Sequence, residues 1–316
     1  MKTAIDNSAT YLASPAALES IAQDPYWPKW HSPWWHMLAL WELGEARHIP
    51  AATALAMARK INSFYLPHFP ADPHDVPAGM DPGRHIACHC ALGTMYQALT
   101  ACGIDVDAEI PWMRPWFVKY QLPDGGLNCE ETHYAKEAAG EKSCSSIMST
   151  LPCLEAMLRA VPRLLSDTEE QFLDRGAEYL LKRKLHRRAS TGAVMNPAFA
   201  EFIFPRFYGY DLLRGLSFLA DWAQHRGVML PYEAIAEPVQ LLRARIAEHG
   251  FKVTRTFTTN NHSFRLQPDG RWDKGDVDSF PLLAETGAAT DPNGALSAEW
   301  QRVEALLAPA LANRVA

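Results

Sequence analysis

Four stretches of this chain are apolar on nearly every helical face: Pro33 to Ala46, His85 to Gly103, Ser143 to Ala160 and Phe207 to Trp222. A helix that is hydrophobic all round must be covered on all sides, so it belongs inside a protein rather than at its surface. The four recur at intervals of about 50 to 60 residues. Between them lie more amphipathic or polar helices, such as Ala51 to Phe64 and Pro231 to Glu248. Stacked helical hairpins make either an open solenoid or a closed ring. Inner helices without a polar face favour the ring. The expected fold is therefore all-α: an α/α toroid, or barrel, of repeated hairpins with apolar helices inside and amphipathic ones outside, in one domain over 1–316.

Local signals set the expected boundaries. Residues 1–30 read as an irregular lead-in, marked by Pro25 and Pro28 among tryptophans. Ser32-Pro33 is a cap followed by proline at the first helical position. Residues 66–83, rich in proline, glycine and aspartate, form a loop long enough to act as a lid or binding loop. Ser166 to Glu169 caps a helix that ends in a basic run, which suits the helix dipole. The segment 251–280 is irregular or β, with Val253 to Thr258 as a candidate short strand.

The net charge of −6 gives no nucleic-acid footprint. No run of 18 apolar residues marks a transmembrane helix, and the first ten residues lack the apolar core of a signal peptide. Six cysteines then read as free thiols in a cytoplasmic protein. With 10 Trp, 10 Tyr and 13 Phe, the chain has enough aromatic side chains to line a pocket as well as fill a core.

Chemistry concentrates between Tyr120 and Leu158. Pro123-Asp124-Gly125-Gly126 is a tight turn. A polar loop follows with Cys129, Glu130, Glu131 and His133, and Ser143 then caps an apolar helix. Cys144, at that helix start, is the more activated thiol because the dipole favours its thiolate. Asn128 and Tyr134 are placed to pin the loop. His85, Cys88 and His89 are spaced to share one helical face, with Cys90 pointing elsewhere. Such a face holds a thiolate beside an imidazole, or ligates zinc. Asp211 stands in an apolar helix and must find a partner: Arg214 at i+3, or a cavity in which desolvation makes it a general acid. Trp34, Trp35, His36, Tyr96, Tyr208 and Tyr210 are candidate pocket-lining residues, His36 being equally readable as a core histidine.

The segment Q-L-P-D-G-G-L-N-C resembles the Q-x-x-D-G-G-W turn of the squalene-cyclase and protein-prenyltransferase superfamily, with Leu127 standing where that turn usually has tryptophan. S-S-I-M-S-T-L-P-C-L-E-A-M-L, E-Y-L-L-K-R-K-L-H-R-R-A-S-T-G and F-P-R-F-Y-G-Y-D-L-L-R-G-L are similar to a bacterial branch of small cyclase-like proteins. The resemblance covers Tyr120 to about Arg214 and implies an α/α toroid. The acid motif D-x-D-D and the diphosphate-metal motif D-D-x-x-D are both absent. Asp211, Cys144 and His89 match in type the zinc ligands of the prenyltransferases. A weaker likeness, in G-L-N-C-E and the later C-S-S, is to linalool dehydratase-isomerase, which implies cofactor-free acid/base chemistry with thiols as proton carriers.

The expected function is an isomerase, lyase or cyclase acting on a small, largely apolar, terpenoid-like substrate. Its catalytic residues would be His89, Cys129, Cys144, Asp211 and Cys88, with no metal ligand assigned. Alternatives are a zinc-dependent transferase or hydrolase on Cys/His/Asp ligands, and a non-catalytic toroid that binds a lipid or a peptide.

Overall fold

A computed structural model of the chain describes residues 1–70, 72–159, 164–257, 262–276 and 279–312. It is mostly helical. In chain order the helices are α1 (Lys2–Leu12), α2 (Pro15–Gln23), α3 (Pro33–Glu42), α4 (Ala51–Phe64), α5 (Pro82–His85), α6 (His89–Ala101), α7 (Val106–Glu109), α8 (Met113–Lys119), α9 (Glu131–Ala138), α10 (Ile147–Arg159), α11 (Asp167–Lys182), α12 (Leu212–Arg226) and α13 (Tyr232–His249). A hairpin of β1 (His262–Leu266) and β2 (Trp272–Asp276) follows, then α14 (Pro281–Gly287) and α15 (Ala295–Ala312). The hairpin is antiparallel, with His262 opposite Asp276 and Leu266 opposite Trp272.

The four apolar helices lie at the centre. All residues of α6 from His89 to Leu99 are buried, as are Pro33 to Leu40 of α3 and Leu212 to Ala220 of α12. They pack in sequence, α3 on α6, α6 on α10 and α10 on α12. The tightest crossing is α6 on α10. A Cβ on Gly93 would stand 2.6 Å from the carbonyl carbon of Pro152, so only glycine lets the backbones meet this closely. The Gln97 amide then donates to the Pro152 carbonyl at 3.3 Å. Gly93→Ala must push two buried helices apart. We expect it to lower unfolding free energy by about 1–3 kcal/mol, read as a shifted urea midpoint with unchanged slope.

Several boundaries differ from the sequence expectation. The lead-in carries two helices: Ser14 accepts from the Ala17 amide at 3.3 Å with Pro15 behind it, whereas Ser32 holds the N-cap position before Pro33 but turns its hydroxyl to the Tyr26 carbonyl at 2.9 Å. The polar loop after Cys129 contains α9. The helix expected from Ser143 starts at Ile147, because Ser143 gives its hydroxyl to Glu137 at 2.8 Å. Val253 and Arg255 lie outside any strand, and Arg255 makes one isolated bridge with Ile203. Thr258, Ala160 and Ala71, which fell within the expected strand, helix and loop, lie outside the described residues.

The turn at Asp124 fixes the chain entering the loop. The Leu122 amide donates to the Gly126 carbonyl at 2.8 Å, and Gly125 has φ +92°. A Cβ on Gly125 would sit 2.2 Å from the Arg175 carbonyl oxygen. Asp124 pairs with Arg183 at 2.9 Å, and the Leu127 amide donates to Thr150 at 2.8 Å. The turn is thereby tied to α10 and α11, and Asn128 and Cys129 leave it in a set direction.

Candidate functional site

Three thiols meet beyond that turn. The sulfurs of Cys88, Cys90 and Cys129 all lie within 4.8 Å of one another, and Cys129 Sγ is 3.3 Å from Cys90 Sγ. The expected helical face of His85, Cys88 and His89 does not form. Ile86 and Cys88 are extended, with ψ of 115° and 141°, so the helix breaks and restarts at His89. Cys88 is then the cap and Cys90 the second residue of α6. That break turns Cys90 toward Cys88 and Cys129, the opposite of the sequence expectation. It also sets the trio at the positive end of a 13-residue helix, which favours a thiolate.

The charge within the trio is shared unevenly. Cys129 lies well below the ordinary thiol value, because its hydrogen-bonding contacts with Cys88 and Cys90 favour its thiolate, with help from Ser149. Cys88 and Cys90 are pushed up by the same sharing and by burial. Among the three sulfurs, Cys129 is thus the one whose thiolate is favoured.

Asn128 and Tyr134 pin the loop as the sequence indicated. The Tyr134 hydroxyl accepts from the Asn128 amide at 3.0 Å and donates to the Asn128 carbonyl at 2.9 Å. Asn128 Oδ1 accepts from the amides of Cys129 at 2.7 Å and Glu130 at 3.0 Å. His89 completes the clamp, its Nδ1 donating to the Asn128 carbonyl at 2.6 Å. That bond sets the tautomer. The other ring nitrogen is buried without a partner among the described residues, and the ring lies 4.0 Å from that of Trp116. Burial lowers the His89 pKa to about 4. His89 is therefore a neutral ring that positions the residue before Cys129.

A cavity of about 150 Å³ opens beside Cys88. Tyr26, Trp27, Trp34 and Tyr65 give it aromatic walls, and Lys29 and Arg84 supply charge. The Lys29 ammonium, half-buried, stands 5.3–5.8 Å from the rings of Tyr26, Trp27 and Trp30, and desolvation lowers its pKa. The β-hairpin covers this end: Ser263 accepts from the Lys29 amide at 2.6 Å, Phe264 meets Trp27 edge-on at 5.1 Å, and Trp272 stacks with Arg84 at 4.0 Å. Tyr26 and Tyr208 hydroxyls lie 3.4 Å apart, and burial pushes both phenols up.

The remaining candidates are dispersed. Trp35 is fully buried against Tyr26, Trp30 and Phe207. His36 bonds Ser8 at 3.1 Å and stacks on Phe280 at 3.7 Å, a core histidine. Tyr96 donates to Asp107 at 2.9 Å and Tyr210 to the Leu185 carbonyl at 2.8 Å. Cys144 is exposed, in a separate groove with Arg183 and Arg188. Its carbonyl, not its thiol, ties to the site, accepting from Asn128 Nδ2 at 2.6 Å. His133 sits near it, Nδ1 at 3.5 Å from the Cys144 amide, and Glu130 is exposed. The Glu131 side chain lies outside the described residues. Asp211 precedes its helix instead of lying within it. It caps α12 through the Arg214 amide at 2.8 Å and pairs with Arg206 at 3.0 Å. The Arg214 guanidinium goes to Glu155 at 2.6 Å. Cys144, His89 and Asp211 are thus not gathered into a zinc site. Cys90, Lys29 and Tyr26 are the site residues the sequence reading missed. The doubled spacing in C-H-C was the available signal for Cys90.

His36 and His89 have a consequence for acid stability. Burial lowers their pKa values from 6.5 to about 3 and about 4. Between those values and 6.5 the unfolded chain binds protons that the folded chain does not. Stability contributed by these rings is therefore complete above 6.5 and lost as pH falls toward 4. We expect thermal midpoints to drop over that window, and His36→Asn to flatten the drop.

No helix among the described residues is long and apolar enough to cross a membrane. Comparison with protein-family models, with curated proteins and with solved structures found no match to this chain.

Proposed function

We propose that this protein is an isomerase, lyase or cyclase that moves protons on a small, largely apolar substrate of terpenoid type, and that its helices close into an α/α ring. The observation that carries the reading is the trio of sulfurs within 4.8 Å, beside an aromatic-walled cavity. Sequential packing of α3, α6, α10 and α12 supports the ring.

In this mechanism Cys88, which lines the cavity, meets the substrate: it gives its proton to the Cys129 thiolate, takes a proton from a substrate carbon and returns it at another atom. The proton on Cys129 then passes back within the trio, where the Cys90–Cys129 separation is 3.3 Å. No net proton is consumed. The Lys29 ammonium steadies the anionic state, and His89 positions Cys129 through Asn128. The apolar walls hold the hydrocarbon and keep bulk water from quenching the intermediate.

The test is incubation with small terpenoid alcohols and alkenes in D2O. The reading expects deuterium on carbon in at least one of them, dependent on Cys129. Absence of carbon-bound deuterium across the panel, with the protein folded, contradicts it.

The same sulfurs favour a second reading, a soft-metal centre. Zinc with three thiolates spaces its sulfurs about 3.8 Å apart, close to the separations in this cluster. Cys88, Cys90 and Cys129 would hold such an ion and leave a fourth position for substrate or water. Stoichiometric zinc or copper in purified protein, lost in Cys90→Ala, would establish this reading. Protein that takes up neither ion on titration excludes it.

A further inference from the structure

A second cleft, of about 470 Å³, lies where α3, α6 and α10 end. Its floor holds three carboxylates, Glu42, Glu155 and Glu299, and three guanidinium groups, Arg159, Arg206 and Arg214. Most of these charges neutralise one another. Glu155 pairs with Arg214 at 2.6 Å, Glu299 with Arg206 at 2.7 Å, and Arg159 with Asp221 at 2.6 Å.

Two groups are left over. Glu42 has no ion pair among the described residues. Its oxygens accept only the backbone amides of Arg206 at 2.6 Å and Phe207 at 2.5 Å. Arg206 binds Asp211 and Glu299, yet its second terminal nitrogen, Nη2, is buried without a partner among the described residues. One carboxylate lacks a cation and one guanidinium N–H lacks an acceptor. A neutral ligand answers neither, and a simple cation or anion answers only one. A zwitterion answers both. The ends of three helices add negative potential where an ammonium would sit. Trp41, Phe204 and Leu296 give the cleft an apolar side.

We propose that this cleft binds a free α-amino acid with an apolar side chain, its ammonium on Glu42 and its carboxylate on the spare Arg206 N–H. The side chain lies against Trp41, Phe204 and Leu296. This site is independent of the thiol chemistry proposed above. Desolvation supports it from another side: burial raises the Glu42 pKa to about 7, although the Arg214 and Arg206 charges oppose the rise. An arriving ammonium would hold Glu42 ionised, so binding near neutral pH releases part of a proton.

The experiment is calorimetric titration of the full chain with leucine, phenylalanine and methionine. The controls are isocaproic acid, which lacks the ammonium, and isoamylamine, which lacks the carboxylate. We expect at least one amino acid to bind and each control to bind at least about tenfold more weakly than leucine, since each loses a charge-assisted hydrogen bond. Glu42→Gln should weaken amino-acid binding by a similar factor and leave isocaproic acid unaffected. Because Glu42 also holds two backbone amides, Ala101→Trp is the second variant: it fills the exposed rim and should abolish binding without touching a charge. Proton release, read from buffers of different ionisation enthalpy, should accompany binding to the unaltered protein. No binding of any of the three amino acids in the millimolar range overturns the proposal. So does isocaproic acid binding as tightly as leucine, or affinity that survives Ala101→Trp.

Discussion

Cys129→Ala is expected to cut turnover by about 10²–10⁴-fold, the usual contribution of one positioned acid or base. The fold should survive. Cys129 is only partly buried, its backbone is held by Asn128, and Asn128 is held by Tyr134 and His89. Removing one sulfur leaves that clamp intact. Cys129→Ser keeps the shape but replaces the sulfur with a hydroxyl that stays protonated at neutral pH, so it should be nearly as inactive. His89→Asn should behave differently. It removes a positioning bond, so the loss should be smaller and should include weaker substrate binding. Deuterium incorporation from D2O reads all three. Equal activity in Cys129→Ala and unaltered protein would end the thiol mechanism.

Glu155→Ala is expected to destabilise the fold by about 3–5 kcal/mol, because it strands a buried charge. Glu155 is 2% exposed and Arg214 4%, so water at the cleft they line repays little of the loss. The Arg214 guanidinium makes two bonds to Glu155 from Nε and a third at 2.6 Å from Nη2. Its Nη1 donates to the carbonyls of Phe207 at 3.0 Å and Gly209 at 2.8 Å. The pair thus holds the turn that carries Tyr208 toward the thiol site. Burial raises the Glu155 pKa, but the Arg214 and Arg159 charges outweigh it, and the net shift is downward. Its contribution to stability is therefore present above the ordinary glutamate value of 4.5 and lost as pH falls below it. Urea unfolding at neutral pH should show the full loss, and the gap between variant and parent should narrow in acid. A Glu155→Ala variant as stable as the parent would mean that Arg214 reaches solvent or another carboxylate.

Much of this architecture was legible in the sequence because it rests on local rules. Apolar residues on every face of Pro33–Glu42 and His89–Ala101 could have no other place than the interior. Asp124-Gly125-Gly126 required a tight turn, and the clamp by Asn128 and Tyr134 followed from polar groups beside a reactive thiol. What escaped depended on where helices begin. The pattern His85, Cys88, His89 fits a helical face only if the helix runs unbroken, and two extended residues at Ile86 and Cys88 undo it. Asp211 has the composition of a buried acid in a helix, yet it is the residue that starts the helix. Lys29 and Tyr26 were invisible as site residues, since only the packing of residues 24–30 under a distant hairpin brings them to Cys88. The pairing of Glu155 with Arg214 spans 59 residues and leaves no local mark.

The proposed proton transfers need a thiolate on Cys129, favoured by its two neighbouring sulfurs. Its most direct test is a pH titration of thiolate absorbance in metal-free protein, taken as the difference between unaltered protein and Cys129→Ala. One thiolate should appear with a midpoint well below the ordinary thiol value of 9.0, while Cys88 and Cys90 stay protonated beyond it. A difference spectrum that appears only at or above that value would contradict it.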